Sequence, residues 1–375
     1  MEWLGHHTRS ACGFIRRHKK MVIVSSVAIT ITASYFAVKK VLKEAEKFSQ
    51  EVTSQWAAQQ NMGNHMLRSK EECELAVLRF LSPIKNELNT RIPLEECILV
   101  LKQLKMEDPL SCREERNVLW EKVKVMGLLR FYTSMYSFVM IHLLIHIQLH
   151  ILGRRTLEKE NIPSQKVQHE YLSSTMEYIV QYGIGTLVQH IQDILSDDND
   201  MSKWKVHECP TVDRDHFFEW LTSLHVKMIP KEDDKSTEKW KNMIMLQIPK
   251  DIDDDLLGLL DETWAVFKSP DFHIVLQDAL NMAFYTMCEQ VSTSIFTPLS
   301  IGEGEEEKKM VVFASPPLAK VLPKMKQESG LLLKMSKGSG AGGNMPVTFC
   351  QVLTSQPSFS NMCSAIFMRN QQREE

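Results

Sequence analysis

The 375-residue sequence lacks the short motifs that mark common catalytic and cofactor sites. It has no glycine-rich loop leading into G-K-[S/T], no G-x-S-x-G nucleophile elbow and no cysteine with a local catalytic signature. Its eight cysteines are scattered without a C-x-x-C pair, which argues against a secreted disulfide scaffold and is typical of reduced thiols in a reducing compartment. We therefore expect a protein that binds partners, with no enzymatic activity and no cofactor.

The sequence also lacks an excess of charge of either sign. Lys and Arg number 44 and Asp and Glu number 47, so the formal net charge is -3. This balance provides no global attraction to nucleic acid or to an anionic membrane, and we expect no nucleic-acid partner. The hydrophobic content of 43% is sufficient for a substantial core and excludes disorder of the whole chain.

One segment near the N-terminus predicts membrane association. Residues 21–38 carry no charged side chain, and a helix of this length spans roughly 27 Å, close to the hydrocarbon thickness of a bilayer. Lys39 and Lys40 follow directly, with no A-x-A cleavage site. We interpret residues 1–20 as a basic targeting segment, 21–38 as a retained transmembrane anchor and 39–375 as a helical-bundle domain facing the cytosol. A buried helix of a soluble domain and a cleaved signal are the alternatives.

The body shows helical periodicity without an alternating strand pattern or an internal repeat, which predicts an all-α fold. Low-complexity sequence predicts flexible surface loops at 302–309 and 337–344. Apolar spacing, caps and breakers predict helices over 39–80 with a break at Ser82-Pro83, over 94–104, over 118–152 with a stop at Gly153, over 168–196 and 212–229, from Ser269-Pro270-Asp271 onward, and over 358–368.

The most apolar part of the body, Phe131 to Leu152, contains no Asp, Glu, Lys or Arg. Its polar residues, which include His142, His146 and His150, are costly in lipid, so we predict a central helix buried by its neighbours in preference to a second membrane span. The three histidines share one helix face, a spacing that could ligate zinc. However, neither the Glu of an H-E-x-x-H motif nor a further ligand follows at a suggestive spacing. We interpret them as a satisfied polar stripe and predict no metal site; a membrane-anchored helical metalloenzyme is the alternative.

Several stretches resemble, in this order along the chain, the peroxisomal biogenesis factor 3 family. They are the basic lead at 14–20, L-W-E-K-V-K at 119–124 followed by L-R at 129–130 and I-Q-L-H-I-L-G at 147–153, Y-L-S-S at 171–174, E-T at 262–263 with S-P-D-F at 269–272, and P-L-A-K at 317–320. Each motif alone is weak, but the colinear set is fairly specific and covers roughly three quarters of the chain.

The resemblance implies a single-pass peroxisomal membrane protein with a twisted helical bundle in the cytosol. It further implies a hydrophobic groove, at the end of the bundle far from the membrane, that receives an amphipathic helix from the N-terminal region of peroxin 19, the import receptor for membrane proteins. Docking of the loaded receptor would allow peroxisomal membrane proteins to insert into the lipid. A membrane tether or organelle-inheritance anchor on another organelle is the alternative function.

Matched residue by residue, the resemblance assigns partner-binding roles to Trp120, Leu101, Lys102, Arg116 and Lys320. Trp120 is implied as the central aromatic of the groove, and Leu101 with Lys102 as a pair at its edge. Arg116 and Lys320, the latter in a late loop, are implied to pair with acidic flanks of the incoming helix. Without the resemblance, the tryptophan would be interpreted as core and the charges as solvated surface. Two features depart from the family pattern: a polar residue, Asn117, at an apolar position, and a longer loop between Lys102 and Trp120.

Overall fold

The computed structural model describes residues 70–106, 113–158, 163–231, 234–245, 253–296, 298–299, 312–334 and 345–368. All of them belong to one compact unit, Arg68–Glu375. The predicted targeting segment 1–20, the anchor 21–38 and the loops 302–309 and 337–344 lie outside the described residues.

The described residues form a bundle of helices. In chain order these are α1 (residues 70–91), α2 (Leu94–Met106), α3 (Arg113–Glu158), α4 (Gln165–Tyr178), α5 (Ile184–Asp197), α6 (Arg214–Met228), α7 (Asp234–Ile244), α8 (Asp254–Phe267), α9 (Pro270–Ile295), α10 (Leu318–Leu332), α11 (Met345–Thr354) and α12 (Pro357–Met368). A π-helical turn, Ile179–Gly183, joins α4 to α5, and a 3-10 turn, Asn199–Ser202, follows α5. Within the described ranges the only sheet is a short antiparallel pair, β1 (Pro298–Leu299) with β2 (Val312–Phe313). The all-α prediction is confirmed.

Helix α3 is the central element of the bundle. Its 46 residues extend over roughly 69 Å, and α2, α5, α9, α10 and α12 all pack on it. Every residue from 131 to 148 is buried. Among the described residues, Arg113–Thr156 is the one helical stretch long and apolar enough to cross a membrane, but 94% of its most apolar window is buried inside the protein. This burial confirms the prediction of a central core helix.

Two helices continue past the breaks predicted for them. Helix α1 runs through Pro83, which is exposed on one face of the helix. The opposite face is buried in the core by Cys73, Val77, Leu81, Ile84 and Leu88. Helix α3 continues beyond Gly153, and the two arginines of the added turn, Arg154 and Arg155, both pair with Glu262 of α8. Tertiary contacts on one side of each helix therefore outweigh the local breaking tendency of proline and glycine.

The helix predicted over 168–196 is instead interrupted by the π-helical turn. Gly183 ends this turn, and a Cβ added there would lie 2.2 Å from the carbonyl oxygen of Met243, so this close approach requires glycine. The predicted start of α9 at Pro270 is confirmed, but Ser269 makes no side-chain cap, because its hydroxyl donates to the Val266 carbonyl at 2.7 Å.

Buried hydrogen bonds hold α3 against the helices around it. Tyr136 Oη lies 2.7 Å from His225 Nδ1 on α6, and His225 Nε2 lies 2.9 Å from Asn281 Oδ1 on α9. Burial lowers the pKa of His225 to about 4, so the ring is neutral. Its Nε2–H then donates to Asn281 and its Nδ1 accepts from Tyr136, a chain that ties α3, α6 and α9 together.

Candidate partner-binding groove

An open groove of about 840 Å³ lies between α2, α3 and α10. Each helix lines it with residues three or four positions apart, which place one face of the helix toward the groove. The apolar floor consists of Leu94, Ile98, Leu101, Trp120, Val123 and Leu322. Trp120 is half-buried, so part of its indole ring is open to the groove. The groove is thus open, apolar and preformed.

The rim of the groove is basic. The charged or titratable side chains that line it are Lys102, Arg113, Arg116, His207 and Lys326, and no Asp or Glu is among the described residues that line it. A carboxylate just outside the lining, Glu95, lies 3.2 Å from Lys326 Nζ and 3.6 Å from Arg130 Nη1. Burial raises the pKa of Glu95, but Arg130 and Lys326 outweigh this effect and lower it below its ordinary value. An ionised Glu95 therefore holds Lys326 at the groove.

A buried lysine of α3 fixes the loop that forms one wall. Lys124 is 2% exposed, and its ammonium donates to the carbonyl oxygens of Met201 and Trp204 at 2.9 Å each and to Glu121 at 2.5 Å. Glu121 in turn accepts a hydrogen bond of 2.8 Å from the backbone N–H of Val206. These bonds satisfy the buried ammonium of Lys124 and both carboxylate oxygens of the partly exposed Glu121. They also place Val206, with His207 after it, against the groove.

Four of the five residues to which partner-binding roles were assigned line this groove: Leu101, Lys102, Arg116 and Trp120. Lys320 does not. It is exposed in the first turn of α10, so the expected late loop is a helix at this point, and its neighbour Ala319 lines the groove instead. Asn117 does line the groove, so its floor has a polar position as expected.

Several lining residues were missed by the sequence reasoning. Leu94 and Ile98 precede Leu101 at helical spacing on a helix that was predicted, so their periodicity could have indicated them. Leu322 and Lys326 lie on α10, for which no helix was predicted, and their sequence gave no signal that this segment would meet α2 and α3.

The histidine stripe lies inside the core, but hydrogen bonds do not satisfy it. His142, His146 and His150 are 0%, 1% and 3% exposed. Burial lowers the pKa of His142 to about 3 and that of the other two rings as well, so all three are neutral. His150 Nδ1 donates to the His146 carbonyl at 2.6 Å, whereas the ring nitrogens of His142 and of His146 have no hydrogen-bond partner among the residues that the structure describes. Each unpaired buried polar group costs about 1–3 kcal/mol, so the expectation of a satisfied stripe is wrong.

The fold and the groove define an all-helical bundle with a preformed apolar groove and a basic rim. A family model described as Peroxin-3 matches residues 105–159 and 187–368, which together make up more than half of the chain. The chain belongs to the Peroxin-3 family.

Relatives from animals and yeast agree with this assignment. The chain is 25% identical over 346 residues to Peroxisomal biogenesis factor 3 of Rattus norvegicus, a match that covers 84% of this chain and 87% of the relative. The protein of the same name in Homo sapiens is 24% identical over 347 residues, with the same coverage. Peroxisomal membrane protein PEX3 of Komagataella phaffii is 21% identical over 176 residues, 38% of either chain. Family membership supports a role in peroxisome biogenesis and membrane-protein import. The family consists of biogenesis factors and is not a known enzyme family.

Proposed function

We propose that this chain is a docking protein of the peroxisomal membrane whose groove binds an amphipathic helix of the import receptor, peroxin 19. The observation that carries the proposal is the groove itself, with an apolar floor on three helices and no acidic side chain among its described lining residues. A helix with an apolar face and acidic flanks matches this surface in shape and in charge. Membership of the Peroxin-3 family supports the same function.

The lining residues take different roles in this proposal. Trp120 is the anchor of the interface, because a half-buried indole offers a large apolar surface to an incoming helix without unfolding. Leu101 extends the apolar floor, and Lys102 and Arg116 attract acidic residues at the flanks and set the register of the helix. Lys320 is exposed and follows the groove residue Ala319. In this proposal it pairs with an acidic residue of the incoming helix that lies beyond the groove.

The proposed organisation places residues 1–20 as a basic targeting segment, 21–38 as a single anchor in the peroxisomal membrane, and 39–375 in the cytosol. The chain binds the loaded receptor beside the membrane and then releases it, and this docking promotes insertion of the cargo without covalent chemistry. Fluorescence microscopy of the tagged chain tests the location. Coincidence with peroxisomes is expected, whereas a mitochondrial or reticular pattern would favour the alternative of a tether on another organelle.

Binding of the full chain in detergent micelles to a labelled peptide of the receptor's N-terminal helix tests the groove. Measured by fluorescence anisotropy, Trp120→Ala is expected to raise the Kd by roughly 30-fold, the equivalent of about 2 kcal/mol for the loss of an interface hot spot. The large effect is expected because truncation removes the aromatic surface of the floor.

Tyr285→Ala is the matched control. Tyr285 is an aromatic residue on α9 that is 59% exposed and does not line the groove, so its truncation should leave the Kd unchanged. Circular dichroism establishes that both variants keep the helical content of the parent. An absence of binding by the folded parent, or equal affinity of the parent and Trp120→Ala, would contradict the proposed function.

A further inference from the structure

A thiol from a second helix meets the histidine stripe of α3. Cys73 on α1, His146 and His150 each offer one ligand atom, and these three atoms lie within 4.8 Å of one another. The side chains are 0%, 1% and 3% exposed. Cys73 is 73 residues before His146 in the sequence, so no local spacing could have joined the three.

The ring nitrogens of the two histidines are arranged as ligand atoms. His146 is 1% exposed, and within the described part of the chain neither of its ring nitrogens has a hydrogen bond, so a lone pair lies beside the thiol. His150 Nδ1–H donates to the His146 carbonyl at 2.6 Å, which leaves the lone pair on Nε2. A carbonyl that fixes the tautomer of an imidazole in this way is the usual outer-shell partner of a metal-binding histidine.

The donor set indicates the class of ligand. One thiolate sulfur and two neutral imidazole nitrogens suit thiophilic ions such as Zn²⁺ and Cu⁺, whereas Mg²⁺ and Ca²⁺ require oxygen ligands. His142 lies one turn before His146, with 4.4 Å between the ring centroids, and is the candidate for a fourth ligand. No described residue forms a hydrogen bond with either of its ring nitrogens. Because all these side chains are buried, such a site is closed to substrate and would be structural.

We propose that Cys73, His146 and His150 form a buried structural site for a thiophilic metal ion, with Zn²⁺ the expected ion. Binding releases the thiol proton to solvent and forms one metal–sulfur and two metal–nitrogen bonds. These bonds connect α1 to α3 directly and give the unpaired nitrogen of His146 a partner. The site is independent of peptide binding, because it uses none of the residues that line the groove.

The metal content of the full chain tests the site. The chain is produced with an affinity tag that lacks histidine and cysteine, purified in detergent and analysed by mass spectrometry for zinc and copper. About one zinc ion per chain is expected from a single closed site. After removal of zinc with a chelator, Co²⁺ should restore occupancy and produce the near-ultraviolet charge-transfer band of a thiolate–cobalt bond.

Cys73→Ser should lose the metal and the cobalt band. Cys350→Ser is the matched control, since Cys350 is a thiol 1% exposed on α11 that lies outside the cluster, and it should keep both. Chelation should lower the Tm of the parent and of Cys350→Ser but leave the Tm of Cys73→Ser unchanged. Copper in place of zinc, lost in the same variant, would support the site and assign the ion as Cu⁺.

Two results would overturn the proposal. The first is retention of the metal by Cys73→Ser. The second is a folded parent chain that carries neither zinc nor copper and gives no cobalt band. This second test uses the parent chain alone, so it does not depend on whether Cys73→Ser folds.

Discussion

The basic rim of the groove leads to a quantitative prediction for Lys102→Glu. Lys102 is exposed at the rim, and no acidic side chain among the described lining residues competes for it. An exposed ion pair contributes about 0.2–1 kcal/mol. Reversal of the charge removes that attraction and adds a repulsion of similar size, a total of about 0.4–2 kcal/mol, so the Kd for the receptor peptide should rise by roughly 2- to 30-fold.

The dependence on salt separates this effect from lost packing. The Debye length falls from about 10 Å at 0.1 M ionic strength to about 3 Å at 1 M, so the difference between Lys102→Glu and the parent should diminish as salt is added. Stopped-flow measurements should place most of the change in the association rate, because rim charges steer the encounter.

Lys166→Glu is the control for net charge. Lys166 is exposed on α4, away from the groove, and its replacement changes the net charge by the same amount. The reasoning is refuted if Lys166→Glu weakens binding equally, if the loss in Lys102→Glu persists unchanged at high salt, or if Lys102→Glu binds as tightly as the parent.

Two further predictions concern stability. Glu262→Gln removes the carboxylate that pairs with buried Arg154 and with Arg155. This change should lower the free energy of unfolding by about 2–3 kcal/mol. The loss is smaller than the full value for a buried pair because Glu262 is 26% exposed. Urea denaturation measures the loss of stability. Glu208→Gln, which removes the carboxylate of the solvated pair Glu208–Lys205, is the control and should be neutral. Equal denaturation midpoints for the two variants would contradict the prediction. Gly183→Ala should destabilise by about 1–3 kcal/mol, because its Cβ would lie 2.2 Å from the Met243 carbonyl oxygen. Gly330→Ala should be neutral or slightly stabilising, because no atom of the described residues, beyond its chain neighbours and its own helix backbone, lies within 4 Å of the added carbon. Thermal unfolding compares the two, and similar Tm values would show that the Met243 backbone yields without cost.

The sequence and the structure agree where local chemistry decides the outcome. The start of α2 at Leu94, the start of α9 at Pro270 and the burial of α3 from 131 to 148 follow from apolar spacing, a proline in the first turn and the absence of charge. Of the groove, Leu101, Lys102, Arg116 and Trp120 were identified by resemblance to the family, which supplied information that periodicity lacks.

Where sequence and structure disagree, contacts between distant segments outweigh local preference. Pro83 does not end α1, because that helix buries its other face and the proline is exposed. Gly153 does not end α3, which continues into a turn whose arginines reach Glu262, 107 residues after Arg155. Local propensities amount to about 1 kcal/mol for glycine and 3 kcal/mol for proline, and the burial of a helix face exceeds them.

The sequence by itself determined the helical class, the most apolar core helix and the absence of familiar catalytic motifs. Only the tertiary structure decided which helix faces meet. It placed Leu322 and Lys326 of α10 in one groove with Trp120, and Cys73 beside His146 and His150. The physical reason is that hydrophobic spacing reports which side of a helix is buried, while the partner of that side depends on the packing of all the helices together.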